Sequence, residues 1–451
     1  MSPMGDPDSL PPFESSALKV LAERGFIEQG SDFAAIDAAL SAGMVTFYTG
    51  YDPTADSLHA GSLLTIMAMR HLQKAGHRPI VLMGGATAMV GDPSGRSETR
   101  KILTTETIRH NVSALRKQFS RFVHFDTGAD NDALLVDNAD WLLGVRYIEF
   151  LRDIGRHFTV NRMIAAKTYR DRLEGELPLS FLEFNYQLLQ AYDFLHLMRE
   201  HDCRMQVGGS DQWGNMIAGV ELIRRVAADH NKAQGQDPGE ADAAPAHAYC
   251  LTYPLLTTAD GGKMGKTAKG AVWLDPERYS PYDYYQYWIN CHDRDVETLL
   301  RVFTELPMDQ VRELASREGK ALNESKAMLA YEATRLLHGE DEAARARTAT
   351  AQAFGKGEDW SALPLIEVPG ESIKLLDLVV HEAVKGFKSK RDARERIKSG
   401  AVKIDGESVT DVNEVITAER CGEDGLRLQT GRKRRLRVKL SGEAPPEPEQ
   451  A

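Results

Sequence analysis

Cysteine is scarce and scattered in this chain. Cys203, Cys250, Cys291 and Cys421 form no Cys-x-x-Cys pair and have no histidines at ligand spacing. They read as free thiols, and a structural zinc is not expected. Long apolar runs are missing as well. None approaches the roughly 20 residues that a membrane helix needs, and the opening MSPMGDPDSLPPFESS has no basic region followed by an apolar one. The expectation is a cytoplasmic protein with no membrane partner. Positive charge is in deficit, with a formal net charge of −11, which opposes indiscriminate attraction to nucleic acid. Any RNA partner must meet a local basic surface, and no DNA partner is expected. What remains is an ordinary globular composition, 42% hydrophobic and 27% charged, long enough for roughly two to four domains.

From SALKVLAERGF to about residue 230, helical periods alternate with short apolar runs such as MVTFYTG and RPIVLMGG, the pattern of a parallel sheet wrapped by helices. The segment NKAQGQDPGEADAAPA interrupts it with loop composition. Residues 281 to 345 carry apolar positions at helical spacing. GKGEDWSALPLIEVPGES has no period and reads as a linker, and IKLLDLVVHEAVKGFKSKRDARERIKSGAVKIDGESV reads as two helices and a hairpin turning at Asp405-Gly406. The expected divisions are a tail over 1–15, an α/β domain over 16–245, a helical one over 246–345, a linker over 346–371, a small α+β domain over 372–440 and a tail over 441–451.

The stretch YTGYDPTADSLHAGSLL raises the first chemical question. MVTFYTG predicts a buried strand ended by Gly50, and open parallel sheets bind ligands outside such carboxyl ends. Tyr48, Gly50, Asp52 and Thr54 then belong to the rim of a site. The helix that follows begins with His59 in its first turn. Its free N–H groups and positive end suit a phosphate, Gly61 leaves room for a flat ligand, and Ser62 shares a face with His59. A capped helix with a surface histidine accounts for the same residues about as well. In DGGKMGKTAKG, Lys263, Lys266 and Thr267 sit among glycines, where two ammonium groups could clamp a triphosphate or be two solvated lysines. On EFNYQLLQAYDFLHLM, Tyr186, Gln190 and Asp193 form one polar stripe on a largely apolar helix. Buried polar groups need partners, so the stripe faces either a polar ligand or a hydrated structural network. MQVGGSDQWGN brings Gly209, Asp211 and Gln212 to another strand exit, and VLMGGATAMVGDPSGRSETR does so for Asp92, followed by Arg96 and Arg100.

Together, YTGYDPTADSLH, GDPSG, YQLLQAYDF and GGSDQWGN make a specific combination, and HAGS and KMGKT resemble the His-Ile-Gly-His and Lys-Met-Ser-Lys-Ser signatures of class I aminoacyl-tRNA synthetases. From about residue 16 to about residue 440 the chain resembles the bacterial tyrosyl-tRNA synthetases. The resemblance implies a Rossmann-like parallel-sheet catalytic domain with a connective insertion, an α-helical domain on the anticodon side and an S4-like RNA-binding domain. It implies that Tyr48 and Asp193 hold the tyrosine hydroxyl, that Tyr186, Asp92 and Gln190 hold the ammonium group, and that Gln212 orients the carboxylate. Gly50, Asp52, Thr54, His59, Gly61, Ser62, Gly209, Asp211 and Lys266 would serve ATP and the adenylate. Lys263, Lys266, Thr267, Arg96 and Arg100 would stabilise departing pyrophosphate. ATP with magnesium, tyrosine and tRNA(Tyr) are the implied ligands, and a homodimer the implied assembly. Around the last domain's second helix, Lys385, Lys388, Lys390, Arg391, Arg394, Arg396 and Lys398 concentrate the positive charge expected of an RNA contact, to which GRKRRLRVK adds.

Four positions depart from the family pattern: Ser62 replaces the second signature histidine, Gly265 and Thr267 replace the two serines, and Arg96 replaces a lysine. Two rival readings explain less. A small-molecule nucleotidyltransferase accounts for the histidine-bearing turn but not for the polar stripe and the basic helix, and a catalytically dead RNA-binding relative leaves His59, Lys263 and Lys266 without a purpose.

Overall fold

The computed structural model describes residues 10–93, 104–234, 247–259, 261–262, 264–267, 270–354, 360–361, 363–431 and 434–442. Two compact units emerge. The first takes residues up to Met264 together with Glu297–Arg312, and the second takes Gly265–Val296 and everything from Glu313 onward.

The first unit is built on six strands, β1 (Gln29–Gly30), β2 (Thr46–Tyr51), β3 (Arg78–Met83), β4 (Leu134–Asp137), β5 (Cys203–Gly209) and β6 (Tyr249–Tyr253), in the order β1-β6-β5-β2-β3-β4. All neighbours are parallel except β1 and β6. The continuous apolar runs of β2 and β3 are buried along most of their length, as strands covered on both faces require. From β2 the chain winds outward through β3 and β4, then returns to lay β5 and β6 on the other side. That reversal opens a crevice at the carboxyl ends of β2 and β5.

Several expected boundaries move. Gly50 does not end its strand, which runs on to Tyr51. The α/β unit does not stop at 245, because β6 pairs with β5 over Met205–Gly209. Residues 297–312, expected within the helical domain, join the first unit through long-range polar contacts. The buried Arg24 guanidinium donates to the carbonyls of Arg301 (3.0 Å), Thr304 (2.8 Å) and Leu306 (2.8 Å), and the Glu305 carboxylate accepts from Arg70 and Lys74, each at 2.8 Å.

In the second unit, Pro281–Ile289, Leu322–His338 and Glu340–Phe354 are helices that bury Tyr284, Tyr285, Trp288, Leu329 and Ala346. A five-stranded sheet follows, in the order Glu407–Val409, Val402–Ile404, Leu426–Thr430, Arg435–Leu440, Leu365–Val368. The hairpin turn is the expected one: Asp405 (φ 50°) and Gly406 (φ 92°) are both left-handed, as a primed two-residue turn requires. The 346–371 stretch is more than a linker. It contains the end of Glu340–Phe354 and the strand Leu365–Val368, which pairs in parallel with Arg437–Leu440. Of the two helices expected next, the first is a single turn, Leu375–Leu378, and the second runs over Lys390–Lys398. All four cysteines are free. Among the described residues no helix is long and apolar enough to cross a membrane.

Candidate active site

A cavity of about 280 Å³ lies in the crevice where β2 and β5 diverge from their neighbours. Strand β2 supplies Tyr48 and Gly50, with Asp52 just beyond, and β5 supplies Gln206 and Gly209. The register sets Tyr48 beside Gln206. The helix Tyr186–His201 turns Tyr186, Gln190 and Asp193 inward, Asp92 closes one side, and Gln212 precedes the helix Trp213–Ala233. Gly61 and Ser62 complete the mouth.

The closed end carries the strongest electrostatic tension. Asp193 is buried, and its carboxylate accepts from Asn138 Nδ2 (2.9 Å) and Trp141 Nε1 (2.8 Å). Burial nevertheless pushes its pKa up to about 7, because two neutral donors do not replace the lost hydration. Tyr48 is buried beside it, packed on Phe194 at 5.3 Å between ring centroids. Burial and then the Asp193 charge drive the Tyr48 phenol well above its ordinary value. Among the described residues the Tyr48 hydroxyl and the Gln206 Oε1 have no hydrogen-bond partner. Orphaned buried polar atoms are costly, on the order of 1–3 kcal/mol each, so the floor of the cavity offers a hydroxyl and an amide oxygen to a polar group entering it.

The other end is acidic. Asp52, Asp92 and Asp193, in that order after burial, raise the pKa of the Tyr186 hydroxyl, while hydrogen bonding to Thr87 opposes the rise. Gln212 Nε2 donates to Asp92 Oδ2 at 2.8 Å, and Asn215 Nδ2 donates to Gln190 Oε1 at 3.0 Å. Such a wall attracts a cation held close to carbonyl and carboxylate acceptors. Paired glycines after β3 make it possible. A Cβ on Gly84 would collide with Thr87 Oγ1 and Asp52 Oδ1, and one on Gly85 with the Asp137 carboxylate.

His59 is not inside the first helical turn. It is extended (φ −123°) and caps the turn Ala60–Ser62, its Nδ1 accepting from the Gly61 N–H at 3.0 Å, before the helix Leu63–Lys74 begins. Gly61 is confined between that ring and the Met264 carbonyl, 2.7 Å from where a Cβ would sit. Thr54 and Asp211 flank the cavity without lining it: the Thr54 N–H bonds the Asp52 carbonyl at 2.8 Å, and Asp211 stands in the turn after β5, against Gly209. Arg96, Arg100 and Lys263 lie outside the described residues. Lys266 and Thr267 form a short strand paired with Gly270–Ala271 in the second unit.

The sequence reading missed Thr87, Asn138, Trp141 and Gln206. Gln206 had a signal, being a lone amide inside the otherwise apolar core of β5, and Asn138 had another, standing at the exit of β4. In the second unit, Lys388, Lys390, Arg391, Arg394, Arg396 and Lys398 are exposed on or beside the helix Lys390–Lys398, whose Ala393 and Ile397 are buried. Of the arginines of GRKRRLRVK, Arg432 lies outside the described residues and the other three behave otherwise. Arg434 donates to Asp283 and to the Val384 carbonyl, Arg435 to the Ala353 carbonyl and Arg437 to the Leu363 carbonyl. These three hold the unit together and add little to an open basic face.

Residues 41–355 match the family described as class I tRNA synthetases (W and Y), and residues 357–434 match the SYY-like C-terminal domain of tyrosine–tRNA ligases. The tyrosine–tRNA ligase of Clostridium tetani is 47% identical over 94% of this chain and 99% of its own length. That of Caldanaerobacter subterraneus is 49% identical over 94% of this chain and 100% of its own. Among solved structures, a C-terminally truncated mitochondrial tyrosyl-tRNA synthetase from Aspergillus nidulans matches with a TM-score of 0.66 at 29% identity, covering 76% of this chain and 95% of that one.

Proposed function

The chain belongs to the class I tRNA synthetases of the tryptophanyl and tyrosyl group, and from that premise we propose how its pocket carries out the work of a tyrosine–tRNA ligase. The reaction has two steps. The tyrosine carboxylate attacks the α-phosphate of ATP, giving tyrosyl-adenylate and pyrophosphate, and the terminal ribose of tRNA(Tyr) then takes the tyrosyl group.

The observation that carries the tyrosine reading is the buried Asp193 carboxylate beside the unpartnered Tyr48 hydroxyl. The phenol donates to Asp193 and accepts from Tyr48. Phenylalanine would leave the Tyr48 hydroxyl unpaired and Asp193 without its third donor, and an indole offers a donor but no acceptor. Tyr186, Asp92 and Gln190 take the ammonium group, and Gln212 orients the carboxylate. Gly50, Asp52, Thr54, His59, Gly61, Ser62, Gly209 and Asp211 serve ATP and the adenylate. Lys263, Lys266, Thr267, Arg96 and Arg100 meet the charge that develops on pyrophosphate. No side chain acts as nucleophile. The site works by positioning and by fixed donors.

Magnesium enters as the complex with ATP, held chiefly by phosphate oxygens. Among the described residues no cluster of three or more histidine, cysteine or acidic side chains could hold a metal. The exposed Lys390–Lys398 helix meets the tRNA backbone. A homodimer is supported by large apolar side chains left exposed in the insertion, among them Leu143, Tyr147, Ile148, Val160, Phe181 and Leu182. The proposed location is the cytoplasm. The test is pyrophosphate exchange into ATP with each standard amino acid in turn. Exchange with tyrosine alone is expected, and equal exchange with tryptophan would overturn the reading.

A further inference from the structure

One guanidinium in the second unit joins three separate stretches of chain. Arg434 stands just before the strand Arg435–Leu440, with its side chain 18% exposed. Its Nη1 donates to Asp283 Oδ1 at 3.2 Å and its Nη2 to the Val384 carbonyl at 2.7 Å. Asp283 lies in the first turn of the helix Pro281–Ile289, where its Oδ2 accepts from the capping Ser280 hydroxyl at 3.0 Å and its N–H donates to that hydroxyl at 3.1 Å. Both carboxylate oxygens are thus engaged, one by the cap and one by the arginine.

Val384 opens the loop that leads into the basic helix. It is buried in the same core as Ala393 and Ile397, the inner face of Lys390–Lys398. Between Val384 and Lys390 the chain has little slack: the Phe387 N–H donates to the Val379 carbonyl at 3.0 Å, a Cβ on Gly386 would come within 2.6 Å of that carbonyl, and Lys385 is left-handed at φ 46°. Lys385, Lys388 and Lys390 are exposed along this short path. A side chain that pins Val384 therefore fixes where these cations stand relative to the helix of Asp283. Arg435 and Arg437 anchor the strand that follows, at the carbonyls of Ala353 and Leu363, and Arg434 adds the bond to the loop.

We infer that Arg434 is a positioning residue for tRNA: by bridging Asp283 and Val384 it holds the basic helix in one orientation against the helical part of the unit, so that RNA meets cations already in place. The inference rests on the reading that Lys390–Lys398 meets the tRNA backbone. The charge of Arg434 itself is spent on Asp283, and a phosphate would have to displace a carboxylate to reach it. With the bridge cut, the helix is correctly placed only part of the time, and apparent affinity falls by that fraction although no contact with RNA is lost.

The experiment measures KM and kcat for charging of tRNA(Tyr), the salt dependence of that KM, and tyrosine-dependent pyrophosphate exchange, with the full-length protein, Asp283→Ala, Arg434→Met and the double variant. Each single change should raise the KM for tRNA about 5- to 30-fold, below the full worth of a charged hydrogen bond because the pair is partly exposed. Both kcat and pyrophosphate exchange should stay within about twofold. The double variant should be no worse than the worse single one, as coupled partners require, and the slope of log KM against log salt should not change. Direct contact between Arg434 and a phosphate gives the opposite sign: Asp283→Ala would then free the guanidinium and tighten tRNA binding, and Arg434→Met would lower the salt slope by about one. Either result overturns the inference, as does a loss of exchange that matches the loss of charging, which marks general unfolding. Replacing Arg391 and Arg394 together by alanine separates the two levels. If that raises the KM for tRNA while Asp283→Ala and Arg434→Met do not, the Arg434 inference alone fails. If it leaves the KM unchanged, the RNA reading of the helix fails and the inference falls with it.

Discussion

Lowering the pH from 8 to 6 should weaken tyrosine binding about tenfold through Asp193 alone. Its pKa, pushed by burial to about 7, leaves the carboxylate mostly ionised at the upper pH and mostly protonated at the lower, roughly a tenfold change in the competent form. Only the ionised form accepts the phenolic proton while still accepting from Asn138 and Trp141. Stability should move the opposite way. A carboxyl raised from 3.8 to about 7 favours folding fully below its unfolded pKa, and that contribution is lost as pH rises through 7. The ceiling is about 4 kcal/mol, from about three units at about 1.4 kcal/mol each. Asp193→Asn removes the titration. It also sets an amide N–H₂ against the donors of Asn138 or Trp141, so tyrosine should bind about 10- to 100-fold more weakly, with no slope between pH 6 and 8. Equilibrium dialysis with labelled tyrosine, alongside denaturant melts of both proteins, reads all three effects. A wild-type affinity that is flat across this range, or an Asp193→Asn variant with the same slope, would refute the reasoning.

Removing residues 365 to 451 should preserve tyrosine-dependent pyrophosphate exchange while sharply reducing tRNA charging. The cut spares Trp360 and Leu363, which pack with Tyr282 and Ala353, and unchanged charging would mean that the basic helix is only a solvated face. Lys266→Ala should lower the rate of adenylate formation and leave tyrosine affinity nearly unchanged, because the cation meets charge that develops as pyrophosphate leaves. Rapid-quench measurements at saturating tyrosine distinguish this from weakened binding at an unaltered rate. Arg24→Ala strands three carbonyls at and just beyond the carboxyl end of the helix Val296–Phe303 and should cost about 2–4 kcal/mol. A melt unchanged within error would show that the guanidinium contributes nothing net.

Elements written in local pattern were legible in the sequence. The apolar runs of β2 and β3, the polar stripe of Tyr186–His201 and the Asp405-Gly406 turn each follow from neighbours a few positions apart. What escaped depends on distant partners. Nothing near Arg24 announces that it will bond carbonyls nearly 280 positions later, and the helical period of residues 297–312 is blind to which unit they join. Thr87 and Asn138 look like ordinary turn residues until the pairing of β3 with β4 brings their loops together. The roles of Arg434, Arg435 and Arg437 escaped for the same reason, since charge counts carry no record of the carbonyls and the Asp283 carboxylate that they engage. His59 fell one turn early because a capping side chain and a first-turn side chain leave the same pattern of letters.

The most direct test is a structure of the protein bound to a non-hydrolysable tyrosyl-adenylate analogue. The account predicts the phenolic oxygen within hydrogen-bond distance of both the Tyr48 hydroxyl and the Asp193 carboxylate, with the amino group against Tyr186 and Asp92. A phenol lodged elsewhere, with Tyr48 and Asp193 still unengaged by the ligand, would contradict it.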